Sequence, residues 1–214
     1  QYITNSVIDT VVLFLTIDWK PTLYFSYKRF KEMFSFGWKI MISSLIGAFF
    51  GQLRSLIIGG KYTSADLAYY NKGDQIPALI TNNVNLTVES VFFSTISEIQ
   101  NDIEKVKQTT RKILKMSCYI IMPLLLGLAA ISESFVRLVL TEKWISCVPF
   151  IQVFCFQYCF SIFGTVNLQS LKGIGKSDTI LKLEFVKKPL FIIMIIITMH
   201  INPFAIAIGG LIYD

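Results

Sequence analysis

Residues 37–60 read GWKIMISSLIGAFFGQLRSLIIGG, and the reading of this stretch decides the fold. At 1.5 Å per helical residue, about 20 residues cross the ~30 Å hydrocarbon layer of a bilayer. The stretch is long and apolar enough to do so, yet it carries Lys39 near one end and Arg54 towards the other. At about 100° per residue, Lys39, Ser43, Gly47, Phe50 and Arg54 share an arc of about 80°, while Ile40, Leu45, Phe49 and Leu56 lie outside it. A basic group within a span costs at least ~2.5–3.5 kcal/mol, so it faces protein or a watery cavity, or it reaches the headgroups. Both readings stand for Lys39 and Arg54: snorkelling side chains, or a cationic lane for an anionic cargo.

The rest of the chain has the same character. Of its 214 residues, 53% are apolar and only 16% charged, against about 25% charged in soluble proteins. The apolar residues come in blocks, which makes this an integral membrane protein, all-α with six to seven spans. Gln1 lies inside an apolar run and Asp214 a few residues into another, so a piece of a longer protein is expected. Its parts are residues 1–20, the end of a helix; 21–36, an amphipathic cytoplasmic linker; and 37–214, a truncated bundle.

Taken in order, the first span ends at Asp18–Lys20 and Pro21. Residues 26–36 form a short helix suited to the interface plane, with Phe30, Met33 and Phe34 opposite Lys28, Arg29, Lys31 and Glu32. After residues 37–60 comes a polar connection, 59–75, with turn chemistry at Gly59-Gly60 and Lys72-Gly73-Asp74. The third span, 76–99, has Pro77 in its first turn. Asn82, Asn85 and Glu89 lie on one arc, with Asn83, Thr87, Ser90 and Ser94 along its flank. Such a helix lines a cavity or sits inside the bundle with interhelical hydrogen bonds, a surface helix of a soluble domain being the third option.

Asn101 caps an amphipathic helix with Glu104 at the capping-box position. A span over 116–140 follows, with Pro123 as a tolerated kink, then a loop over 141–147 in which Trp144 serves as an interfacial anchor. Span 148–171 carries Cys155 and Cys159; neither they nor Cys118 and Cys147 have metal-type spacing, and they read as packing thiols. Residues 172–178 form a turn, with Ser177 or Asp178 capping the next helix. The first turns of that helix hold Lys182, Glu184, Lys187 and Lys188 and are expected to project into cytoplasm or headgroups. Residues 203–214 begin a seventh span.

Charge counting gives an orientation. Residues 18–39, 98–116 and 171–188 each hold five Lys or Arg, the intervening connections 59–75 and 133–147 two each, and 199–203 none. This alternation places the basic segments in the cytoplasm and turns the net charge of +6 into a topology signal. A nucleic-acid surface would not alternate with every crossing, so nucleic acid is excluded as a partner.

Several runs resemble one family: FSFGWK (34–39), AYYNKGDQIP (68–77), PLLLGLAAISE (123–133), LTEKWISCVPFIQVFC (140–155) and GKSDTILKLEFVKK (175–188). Together they are similar to the bacterial polysaccharide transporter family of Wzx-type flippases, in its colanic-acid-exporter branch, within the superfamily of multidrug, lipid-linked oligosaccharide and polysaccharide exporters. The resemblance implies two pseudo-symmetric lobes of about six helices working by alternating access. This chain would supply the last helix of the first lobe and most of the second. It also implies an undecaprenyl-diphosphate-linked oligosaccharide as cargo, membrane lipids as surroundings in the bacterial inner membrane, polymerase and chain-length proteins as partners, and no cofactor.

The site residues rest on the helical-face reading instead. Arg54 and Lys39 supply cations for the diphosphate, and Gln52, Asn82 and Asn85 offer hydrogen bonds to sugars. Glu89 pairs with a cation or takes up a proton. The competing readings are a drug or small-cation exporter, which wants an anionic or aromatic cavity, and a membrane-embedded glycosyl- or acyltransferase. For the latter, His200 is the sole histidine and no paired carboxylates converge, so no catalytic residue is expected.

Overall fold

The computed structural model describes residues 2–16, 26–100 and 102–213, and every regular element among them is helical. Among the described residues, three helical stretches have the length and apolar composition to cross a membrane, Tyr27–Lys61, Ile103–Leu140 and Glu142–Gly173. This is an all-α, multi-span membrane protein. It comprises two compact units, residues 1–35 and 36–214.

In the first unit, α1 (Tyr2–Thr16) is an apolar helix whose Thr10 and Thr16 hydroxyls donate to the Ser6 and Val12 carbonyls one turn back. Residues 27–35 are the opening turns of α2 (Tyr27–Lys61), in which Phe30 and Phe34 stack at 5.8 Å. The expected stop at Asp18–Lys20 and Pro21 lies outside the described residues.

The second unit is built around α5 (Val148–Gly173). Its Ile151, Cys155, Cys159, Ile162 and Val166 pack against α3 (Ser64–Ile99) and α4 (Ile103–Phe135). Its Phe150 and Phe154 join Ile58 of α2, Tyr70 of α3 and Ile206 of α7 (Pro203–Tyr213) in a second cluster. The remaining helix, α6 (Ser177–Thr198), packs on α5 and α7 and turns Ile192, Ile193, Ile196 and Ile197 outward, as a lipid-facing surface requires.

Several expected boundaries move. The connection after α2 is only Tyr62 and Thr63. Thr63 caps α3, accepting from the Asp66 backbone N–H at 3.1 Å while the Asp66 carboxylate accepts from the Thr63 N–H at 3.1 Å. This reciprocal cap starts α3 twelve residues earlier than residue 76. Gly59-Gly60 and Lys72-Gly73-Asp74 are therefore helical and Pro77 is internal to α3. Lacking an N–H, Pro77 leaves the Gly73 carbonyl without its intrahelical donor.

Further along, the cap of α4 is Asp102, one residue beyond the expected Asn101, which lies outside the described residues. Asp102 accepts from the Lys105 N–H at 3.1 Å, and that bond, with the Lys105 ammonium beside it, holds its carboxyl below the usual carboxylate range. The amphipathic stretch and the span after it are one helix through Phe135, continued by a π-turn, Val136–Leu140. The 141–147 loop contains a 3-10 turn, Glu142–Cys147, and Trp144 packs inward, edge-on to Tyr69 at 6.0 Å. Gly175 makes the expected turn with φ +75°. Neither Ser177 nor Asp178 caps α6; Lys176 holds that place without a side-chain bond.

Thr141 joins the π-turn to the 3-10 turn at φ 76° and ψ 165°, a region that is Gly territory and costs a β-branched residue of order 1–3 kcal/mol. Thr141→Gly is expected to raise the unfolding midpoint by about 2–4 °C, roughly what 1 kcal/mol yields for a protein this size. A thermal melt in detergent checks this, and an unchanged or lower midpoint contradicts it.

Candidate functional site

A cavity of about 870 Å³ opens within the second unit, walled by α2, α3, α5, α6 and the 3-10 turn. Its α2 wall is the face on which Gly47, Phe50 and Arg54 fall, while Leu45, Phe49 and Leu56 point outward and are exposed. Gly47 and Gly51 meet nothing where a Cβ would stand, so small residues leave the space open there.

One part of the wall is cationic and aromatic. The Arg54 guanidinium lies over the Phe191 ring, 5.0 Å from its centroid, and Phe191 meets Phe50 edge-on at 5.6 Å. The Lys188 ammonium sits 5.3 Å from the Phe50 centroid and 3.0 Å from the Glu184 carboxylate one turn earlier. Arg54 also reaches α7, where a Cβ on Gly210 would stand 2.9 Å from a guanidinium nitrogen and 3.0 Å from Gln157 Oε1.

The other part comes from the first turns of α3. Asp74 accepts from the Tyr158 hydroxyl of α5 at 2.8 Å, and Lys72 donates to Gln75 at 3.0 Å with its ammonium 5.9 Å from the Trp144 ring centroid. Ser55 donates to Asn71 Oδ1 at 3.1 Å, tying α2 to α3. The lining thus holds three cations, Arg54, Lys72 and Lys188, against one carboxylate, Asp74, with amides between them.

Of the residues singled out from sequence, Arg54 and Gln52 line this cavity. Lys39 does not; it pairs with Asp178 at 2.7 Å, holding α2 to the start of α6. Asn82 is exposed and Glu89 half-buried, both off the wall. Asn85 is off it too, and its Oδ1 is buried with no hydrogen bond among the described residues. Lys72, Asp74, Gln75, Tyr158 and Lys188 were not anticipated. Lys188 was counted with a cytoplasmic segment, yet its side chain is only 16% exposed and faces the cavity. The i, i+4 spacing of Glu184 and Lys188 is a pairing signal readable in sequence, as is the cap that draws residues 64–75 into a helix.

The profile of a family described as polysaccharide biosynthesis protein matches residues 1–149. Among curated proteins, the chain is 28% identical over 198 residues to the lipopolysaccharide biosynthesis protein WzxC of Escherichia coli K12, covering 92% of this chain and 40% of that one. It is 26% identical over 160 residues to the teichuronic acid biosynthesis protein TuaB of Bacillus subtilis 168, covering 75% and 33%. An uncharacterized membrane protein in the cps region of Klebsiella pneumoniae is 25% identical over 165 residues, covering 77% and 34%. The chain therefore spans about a third to two-fifths of the length of these relatives. No solved structure matches it significantly.

Proposed function

The chain belongs to the polysaccharide biosynthesis protein family, and on that premise we propose that it is part of an exporter moving undecaprenyl-diphosphate-linked oligosaccharide units across the bacterial cytoplasmic membrane by alternating access. The observation that carries the reading is the lining of the cavity, Arg54, Lys72 and Lys188 against Asp74, with Glu184 paired to Lys188 from behind the wall. A diphosphate and a string of sugar hydroxyls left in hydrocarbon would cost many kcal/mol. A wall with cations for the one and amides and hydroxyls for the other lowers that cost while the polyprenyl tail stays in lipid. Arg54 offers the bidentate fork that suits a phosphate, and Gln52, Asn71, Gln75 and Tyr158 offer hydrogen bonds to sugars. The names of two relatives, which refer to lipopolysaccharide and teichuronic acid, support an anionic or lipid-linked glycan. A drug or small-cation exporter, which wants an anionic cavity, is disfavoured because cations still outnumber carboxylates once Glu184 is counted.

Charge counting assigns the short α2–α3 turn and the 3-10 turn that bears Trp144 to the outside of the cell. Lys39 and Asp178 bridge α2 and the start of α6 at the end that charge counting assigns to the cytoplasm. The first lobe, and the polymerase and chain-length partners, belong to the proposal as expectations of the family. In cells lacking the protein, Arg54→Ala is expected to restore export about tenfold or more less well than wild type, the loss of one charge-assisted phosphate contact, at equal abundance in the membrane. Export at the wild-type rate would overturn the assignment.

A further inference from the structure

The Lys188–Glu184 pair is placed oddly for an ornament of the surface. Both side chains are largely buried, at 16% and 24% exposure, and the carboxylate approaches the ammonium to 3.0 Å. Only Lys188 reaches the cavity; Glu184 stands one turn behind it, off the wall. The ammonium rests on Phe50, Phe50 abuts Phe191, and Phe191 carries Arg54, so one cation lies on each ring of a single aromatic pair. A half-buried ammonium without a counter-charge would be costly, and two cations lining one cavity would repel each other. Glu184 offsets both effects while the cavity is empty.

We propose that Lys188 is a second anion-binding position of this cavity and that Glu184 is its built-in competitor, so that the site selects a diphosphate over a monophosphate. The inference rests on the reading of the cavity as a site for a lipid-linked phosphate. A ligand with one phosphate is held by Arg54 and leaves the ion pair closed. A ligand with two phosphates presents a second charge near Phe50, and Lys188 exchanges the carboxylate for it by rotating its own flexible stem. The exchange replaces an ion-pair contact, whose carboxylate Oε2 is buried without hydrogen-bond geometry, with another, so the gain is modest, and Glu184 sets it. This competition gives discrimination and keeps binding weak enough for release on the far side.

The test is equilibrium binding of geranylgeranyl diphosphate and geranylgeranyl monophosphate to the intact protein in nanodiscs. Wild type is expected to prefer the diphosphate. Glu184→Gln should tighten diphosphate binding about three- to tenfold, between what an exposed and a buried ion pair contribute, with a smaller change for the monophosphate. Lys188→Gln should bind the two ligands alike. The double variant, which leaves no carboxylate buried opposite a neutral side chain, should match Lys188→Gln and stands in for it if that variant does not accumulate. If Arg54→Gln weakens both ligands while Glu184→Gln and the double variant leave the diphosphate preference untouched, the competitor is refuted and the cavity assignment survives. If Arg54→Gln changes neither ligand, the cavity assignment itself falls, and the inference with it.

Discussion

Gly73→Ala is expected to lower the abundance of the protein in the membrane fraction several-fold or more. A Cβ at that position would stand 2.4 Å from Phe150 Cβ and 3.2 Å from two backbone atoms, Phe150 C and Ile151 N. Those atoms belong to the main chain of α5 and the root of its side chain, so no rotamer change relieves the clash; α3 and α5 must separate. Separation in turn disturbs Phe150, which lies edge-on to Tyr70 at 5.9 Å and to Phe204 at 5.8 Å. Overpacking a fitted interior costs about 1–3 kcal/mol and more where the backbone must move. Against that, Ala is the better helix former by about 0.8–1.0 kcal/mol. Sterics prevail, and the net loss is about 2 kcal/mol or more, a large share of a typical stability. Gly127→Ala is the matching control, since its Cβ would meet nothing within 4 Å and only the propensity gain applies. Abundance on a blot and the melting midpoint of purified protein measure both. Equal midpoints for wild type and Gly73→Ala would mean that the α3–α5 seam is looser than the structure describes.

The same glycine shows why part of this site was hidden in the sequence. Lys72-Gly73-Asp74 has the composition of a turn, and glycine marks a turn far more often than a helix contact. Its role becomes visible only when α5 is laid against it, which is a tertiary fact. The cap was legible: Thr63 and Asp66 have the capping-box spacing, with Asp in the place usually held by Glu or Gln. The face of α2 was legible as well, because a cation in a membrane helix is costly enough to force the small and polar residues onto one arc. Ser43, buried on that arc, and Leu45, Phe49 and Leu56, exposed outside it, follow that logic. Lys39 sits on the same arc without reaching the cavity, because periodicity gives an azimuth and says nothing of what lies at that height; Asp178 does. Lys188 failed for a related reason. Counting treats each basic residue before an apolar run as a loop residue, whereas the local Glu184 lets this one stay within the wall.

Gly210 is the residue through which the seat of Arg54 can be moved without breaking the bundle. Here a Cβ would approach the ends of flexible side chains, a guanidinium nitrogen at 2.9 Å, Arg54 Cζ at 3.0 Å and Gln157 Oε1 at 3.0 Å. These can swing away, so Gly210→Ala should leave abundance and melting midpoint close to wild type, the opposite of Gly73→Ala. The guanidinium, however, can no longer rest between the Phe191 ring and α7. Gly210→Ala is expected to lower export several-fold. Gly210→Val, whose branched side chain fills the same space more completely, should lower it as far as Arg54→Ala, about tenfold or more for a lost charge-assisted contact. Because both substitutions act on one group, their effects must not add: in the Arg54→Ala background, Gly210→Ala should change export no further. Multiplying losses in the double variant would mean that α7 matters to transport by some route other than Arg54. Wild-type export by Gly210→Val would mean that the position of the guanidinium is not what the cavity depends on.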